Sequence, residues 1–307
     1  MNPAYSVILF TTASGAGYGL LALLGLIGVR AGLPTSLLFA CVTLVLALGL
    51  ITIGLLSSTL HLGRPERAWR ALSQWKTSWL SREGVAAVLT YPVALAFGLV
   101  WSGLAPYPHA IAALGMLTAL FALTTVFTTG KIYATLTTIR AWNQPLTVPV
   151  YLFFALASGG ALYLAIAALF GKDPDTVAPV AGFALLMLAL LKFRYWKAMD
   201  EAPRDRTMGN ATGLGDTVRQ WEVPHTSTNF VQREMGFVVA RRHAKRLRSL
   251  FFILLAIVGL LELAAIAAPA FALPAALIFL VGAWVERWLF FAEGEHVVTL
   301  FYGNPSA

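Results

Sequence analysis

Charge is what this chain of 307 residues has least of. Asp, Glu, Lys and Arg together make up 12%, about half the share usual in soluble domains. That scarcity, with 58% hydrophobic residues and a mean hydropathy of +0.74, excludes an ordinary water-soluble fold. Cysteine is almost missing too. The single Cys41 lies in an apolar run, which excludes an internal disulfide or a thiolate metal cluster within one chain. Any iron–sulfur centre must therefore come from a partner. Of the five histidines, His61 and His109 are expected at opposite membrane faces, and His225, His243 and His296 in a loop or tail. A membrane haem held by two facing histidines has no candidates here, and no zinc motif is present. The opening "MNPAYSVILF" has no basic leader region, so it is expected to stay as a first helix.

Long apolar runs fill the space that charge leaves. The first two charges are Arg30 and Arg64, and residues 85–130 carry none; each such stretch holds one or two segments of the roughly 20 residues that cross a bilayer as helix. The reading is an all-α integral membrane protein, a single membrane domain over 1–307. Its eight transmembrane helices are expected near 5–29, 36–60, 84–104, 110–138, 149–170, 177–196, 248–268 and 272–294. Breaks fall at Pro34, Pro106 to Pro108, Asn143 to Pro145, and Asp173-Pro174. Of the 22 Lys and Arg, only Arg30, Lys172 and Arg287 fall away from the side shared by the termini and the loops after helices two, four and six. The positive-inside rule places that side in the cytoplasm. The net charge of +8 is thereby read as topology, with no nucleic-acid partner.

Two stretches echo each other. "PAYSVILFTTASGAGY" opens helix one and "PVYLFFALASGGALY" opens helix five. Both helices start from the same side, which suggests two parallel four-helix halves; chance similarity between helices rich in small residues is the competing reading.

The stretch "HLGRPERAWRALSQWKTSWLSREG", from His61 to Gly84, sets five basic residues, two carboxylates, three tryptophans and a histidine between apolar runs. Pro65 suits a helix start, and Ala68, Ala71, Leu72 and Trp75 share one helical face. Residues 61–83 are therefore expected as a cytoplasmic interfacial helix and loop, with tryptophans as belt residues and Ser81 capping helix three. Taken singly, Glu83 reads as a partner of the helix dipole and His61 as a polar helix end. Yet Lys131, Glu286 and Arg287 are expected at similar depth, Lys131 about 8 residues from the end of helix four, or roughly 12 Å. Charges in a bilayer are costly and face a bundle interior, paired or functional. Lys131 and Arg287 can be counter-ions to Glu83 and Glu286. Alternatively, the group forms a polar pocket reached from lipid. A quinone needs an apolar slot, hydrogen-bond donors and groups that titrate usefully, and a His beside a partly buried Glu meets that need. Glu262 is expected deep in helix seven, as part of the buried charge network or as an element of a path across the membrane.

"STLHLGRPERAWRALSQWKTSWLSREG", the eight-helix plan and "GKIYATL" in helix four resemble the DmsC membrane-anchor subunits of the dimethyl sulfoxide reductase family, within the wider NrfD/PsrC-like group. The resemblance implies a haem-free quinone-binding anchor, for ubiquinone or menaquinone. It also implies two partners: a ferredoxin-like four-cluster iron–sulfur subunit and a catalytic subunit with a molybdenum bis-pyranopterin cofactor. It places the quinone-site histidine on His61 and the quinone-site glutamate on Glu83, with basic positions at Lys131 and Arg287. Arg64, Trp79, Arg82 and Tyr133, in the same motifs, complete the expected quinone site. The long polar stretch 192–248 is similar to that of SoeC-type anchors of cytoplasm-facing sulfite-oxidising enzymes, and is expected to be a loop that docks the iron–sulfur subunit.

The expected function is thus a quinone-reactive anchor in the bacterial inner membrane, with sulfite oxidation ahead of S- or N-oxide reduction as the partner's chemistry. The anchor itself performs none of the molybdenum chemistry. A secondary transporter is the rival from another class, since an in-membrane charge network and a repeat also suit one.

Overall fold

The structure is a computed structural model that describes residues 2–31, 36–60, 62–174, 176–215, 218, 220–222, 225–235 and 239–306. Among these, eight helices are long and apolar enough to cross a membrane: α1 (Tyr5–Val29), α2 (Leu37–Thr59), α3 (Trp79–Trp101), α4 (Pro108–Ala134), α5 (Thr147–Leu169), α6 (Ala178–Glu201), α7 (His243–Ala267) and α8 (Pro269–Ala292). The first residues of α1 and the last residues of α8 fall at one end of the bundle, called the basic end below.

Small residues decide which helices are central. A Cβ on Gly19 would sit 1.7 Å from the Ala155 carbonyl oxygen, and one on Gly159 would sit 2.2 Å from the Gly19 backbone. α1 and α5 therefore meet backbone to backbone, the close packing that small residues permit when lipid supplies no hydrophobic drive. These two helices are the most buried, at 78% and 72% of their central windows, against 17% for α7. Within the first half, α1 packs on α2 and α4, and α3 on α4, while α2 and α3 barely touch. The second half repeats that pattern: α5 packs on α6 and α8, α7 on α8, and α6 and α7 meet only slightly. The repeated arrangement supports two parallel halves.

Four boundaries differ from the sequence reading, two of them for a local reason. α3 starts at Trp79, capped by Ser78, whose hydroxyl accepts the Ser81 N–H at 3.4 Å. Arg82 bonds back to the Trp75 and Lys76 carbonyls, at 2.9 and 2.7 Å, and draws the loop onto the first turn. α4 stops at Ala134, where the Asn143 side chain takes the Ala134 carbonyl at 2.6 Å, so Lys131 lies three residues from the helix end instead of eight. α6 runs on to Glu201, and the chain is helical again from Val239. The polar connection is consequently 202–238, shorter than 192–248. The amphipathic stretch after His61 forms an exposed 3-10 helix, Pro65–Gln74, lying against α3.

Near the basic end, α1 is interrupted by a π-helical turn, Phe10–Ser14. The extra residue per turn loosens the backbone ladder there. Hydroxyls of Thr11, Thr12 and Ser14 bond to the carbonyls of Val7, Ile8 and Phe10 at 2.9, 2.8 and 2.6 Å. π-turns inside α-helices are frequent at functional sites.

Candidate functional site

Glu83 is the fifth residue of α3 and is 4% exposed. Its phase on the helix turns it into the bundle, too far in to serve the helix dipole as a surface carboxylate does. The partner is Thr129 of α4, whose hydroxyl bonds to Glu83 Oε1 and lies 2.9 Å from the Thr125 carbonyl. A threonine hydroxyl has one proton and two lone pairs. It can donate to an ionised Glu83, or accept from a protonated one while donating to Thr125. The pair tolerates either protonation state without moving a backbone atom. Glu83 Oε2 makes no hydrogen bond to a described residue.

Lys131 does not pair with Glu83 in the structure. Its ammonium lies 5.7 Å from both the Trp79 and Phe127 ring centroids, rings that meet edge to face at 6.1 Å. Arg82 also stacks over Trp79, at 4.3 Å. Tyr133 stacks on Tyr151 at 5.7 Å and packs edge-on against Trp142, Phe290 and Phe291. The structure thus gathers Glu83, Trp79, Arg82, Lys131 and Tyr133 at the basic ends of α3 and α4. Arg64 is exposed at the start of the 3-10 helix. His61 lies outside the described residues.

A second buried group faces this one. Glu286 and Arg287 of α8 are bonded to each other, and Lys192 of α6 lies 2.6 Å from Glu286 Oε1. Lys192 and Glu286 are fully buried, and Arg287 is 2% exposed. The guanidinium sits 4.4 Å over Tyr151 and 4.8 Å over Phe290, and the Lys192 ammonium 4.1 Å over Tyr195 and Trp196. Two cations against one carboxylate leave an excess positive charge in a low-dielectric interior, which favours an anion nearby. From this triad polar groups continue to the basic end. Trp196 donates to Glu293 at 3.1 Å, Glu293 takes Arg248 at 2.8 Å, and Arg248 takes the exposed Asp200 at 2.7 Å. Burial holds the Glu293 carboxyl above the usual range, against the pull of Arg248.

The sequence reading missed Lys192, placing it at a loop edge. Its signal was legible: Ala181, Leu185, Leu188, Lys192 and Trp196 recur at helical spacing on one buried face. Thr129 carried no signal, being one of many threonines in an apolar helix.

Glu262 stands apart from the triad. It lines a groove of about 960 Å³ between α5, α6 and α7, walled mainly by Ala, Leu, Phe and Ile. No described residue hydrogen-bonds or pairs with its carboxyl, so it does not extend the Glu286–Arg287 group.

The family model of the DMSO reductase anchor subunit (DmsC) matches residues 1–303. The chain belongs to the DmsC anchor family. A relative from Allochromatium vinosum, one of the subunits of its sulfite dehydrogenase, is 32% identical over 323 aligned positions, covering 98% of this chain and 99% of the relative. This DmsC-family protein is a multi-pass membrane anchor of a molybdoenzyme, and its family implies association with catalytic and electron-transfer subunits. The buried Glu83 and the Lys192–Glu286–Arg287 triad are features of that anchor.

Proposed function

We propose that this anchor binds quinone at the basic end of α3 and α4 and passes electrons between the quinone pool and an iron–sulfur partner. The observation that carries the reading is Glu83. A buried carboxyl with one oxygen held by Thr129 and the other without a described partner, one helical turn along α3 from Trp79, whose ring meets Phe127 and the Lys131 ammonium, has the chemistry a quinone head requires. A bound quinone supplies a two-electron, two-proton carrier. Glu83 binds or releases a proton at Oε2, Lys131 stabilises negative charge, Trp79 and Tyr133 wall the slot, and His61, Arg64 and Arg82 complete its basic mouth.

The partner docks on the same end. Trp69, Trp75 and Trp221 are 66%, 54% and 97% exposed there, an unusual display of aromatic surface among basic residues unless a partner covers it. The 3-10 helix and the described residues of the connection, Trp221 among them, form this surface, and the iron–sulfur subunit of a molybdopterin enzyme is its occupant. An anchor without haem, as the family resemblance implies, would need quinone and partner on one side of the roughly 30 Å of hydrocarbon, the side that the positive-inside rule makes cytoplasmic. The end-to-end match to a sulfite dehydrogenase subunit favours sulfite oxidation with quinone reduction; a sulfoxide or amine-oxide reductase running on quinol is the alternative that the family description raises.

In the assembled complex, Glu83→Gln and His61→Ala should each lower quinone-linked turnover by about 100-fold or more, while activity with an artificial electron acceptor survives. Equal loss of both activities would mean failed assembly, and full quinone activity in Glu83→Gln would refute the site.

A further inference from the structure

Where α1, α4, α5 and α8 meet, between Glu83 and the charged triad, the bundle leaves a partly open cavity of about 20 Å³, lined mostly by apolar atoms with several polar side chains among them. That is room for one water molecule. Three groups at its wall, Tyr18 Oη, Tyr151 Oη and Arg287 Nη2, are buried and have no protein hydrogen-bond partner of ordinary geometry. Each such orphan costs about 1–3 kcal/mol when nothing satisfies it. Other polar groups of the same wall are satisfied by backbone: Ser14 by the Phe10 carbonyl at 2.6 Å and Ser158 by that of Phe154 at 2.8 Å. Among the described residues of this wall the unsatisfied groups are those three, Tyr18 Oη lying on the Thr125 side and Tyr151 Oη close to Arg287, and buried water makes two to four hydrogen bonds of this kind. Thr129 lines the cavity as well, with its hydroxyl on Glu83.

We infer that this cavity is an ordered-water site, fixed by Tyr18, Tyr151 and Arg287, through which Thr129 exchanges protons with Glu83. The inference rests on the quinone reading of Glu83 and adds its proton supply. A ligand at Oε2 covers that side of the carboxyl, so Oε1 and Thr129 are the remaining way in. As Glu83 loses its proton at Oε2, the Thr129 O–H bond breaks toward Oε1. An O–H bond forms from the water to Thr129 Oγ, and the water is restored from bulk water at the basic end along the α1 hydroxyls Thr11 and Thr12. Each transfer breaks one O–H bond and makes one, and the reverse order serves proton release. Arg287 cannot carry the proton, since its guanidinium stays charged. It is a positioning residue that orients the water, itself held by Glu286, whose other oxygen Lys192 engages.

The test uses the complete complex with Tyr18→Phe and Tyr151→Phe combined, which keeps both rings, and Ser158→Ala as a control for disturbance of the wall. The double variant should lower quinone-linked kcat about tenfold or more and enlarge its solvent deuterium isotope effect, with the quinone KM and artificial-acceptor activity unchanged. Ser158→Ala should match the parent. An unchanged kcat and isotope effect in the double variant would overturn the relay, as would a raised KM alone, which would mean the phenols touch quinone. Either failure is distinguishable from failure of the quinone site, because Glu83→Gln would still abolish quinone-linked turnover.

Discussion

Glu286 is the residue on which the buried charge depends. Among the described residues it is the carboxylate in direct contact with both Lys192 and Arg287, at 2.6 Å from the first and bonded to the second. Removing one partner of a buried ion group leaves uncompensated charge and costs about 3–5 kcal/mol, whereas an exposed pair contributes about 0–1 kcal/mol. Glu286→Gln should accordingly lower the stability of the purified protein by about 3–5 kcal/mol in a denaturant titration, and Asp200→Asn, whose carboxyl is 58% exposed against Arg248, by less than about 1 kcal/mol. Similar losses in the two variants would mean that water reaches the triad freely. Residue-level legibility was uneven for a physical reason. Glu83, Glu286 and Arg287 stand out in sequence because charge is rare in an apolar helix. Tyr18, Tyr151 and Thr129 do not, because their role depends on one unsatisfied bond that only packing creates.

The helices were legible as elements because uncharged runs of bilayer length have few alternatives. Their ends were not, because they are set by individual side-chain bonds that hydropathy does not register: Asn143 meets the end of α4, and Ser78 with Arg82 fixes the start of α3. One short element depends on a titratable cap. The 3-10 helix Val297–Tyr302 begins at His296, whose Nδ1 accepts the Val298 N–H at 3.0 Å, and Val297 N–H bonds to the Thr138 carbonyl at 3.1 Å. An accepting Nδ1 requires neutral imidazole, and partial burial lowers the His296 pKa below its ordinary value. The stabilisation from this cap is therefore present above the ordinary histidine range, about pH 6.5, and is lost as pH falls through the lowered folded value. Hydrogen exchange of residues 297–302 should lose protection on acidification beyond the intrinsic change, and His296→Asn, which keeps a short capping acceptor, should remove that pH dependence. Protection independent of pH in the parent would show that the cap contributes nothing.

At the scale of the molecule, two kinds of site compete for a lipid-borne ligand. The groove around Glu262, about 960 Å³ and mostly apolar, has the size expected of a small-molecule site. The Glu83 cluster holds the carboxyl with an adjustable hydroxyl partner, and at the same ends of α3 and α4 the Lys131 cation and the Trp79 ring, at the end where exposed tryptophans await a partner. Chemistry and proximity to the partner favour Glu83. The most direct measurement is photolabelling of the reconstituted complex with a quinone bearing a photoreactive head substituent, mapped by mass spectrometry. The account predicts label on residues 79–83 and 127–133, competed away by excess quinone. Specific label confined to the groove residues Phe183, Phe252 or Glu262, with none on α3 and the end of α4, would contradict it.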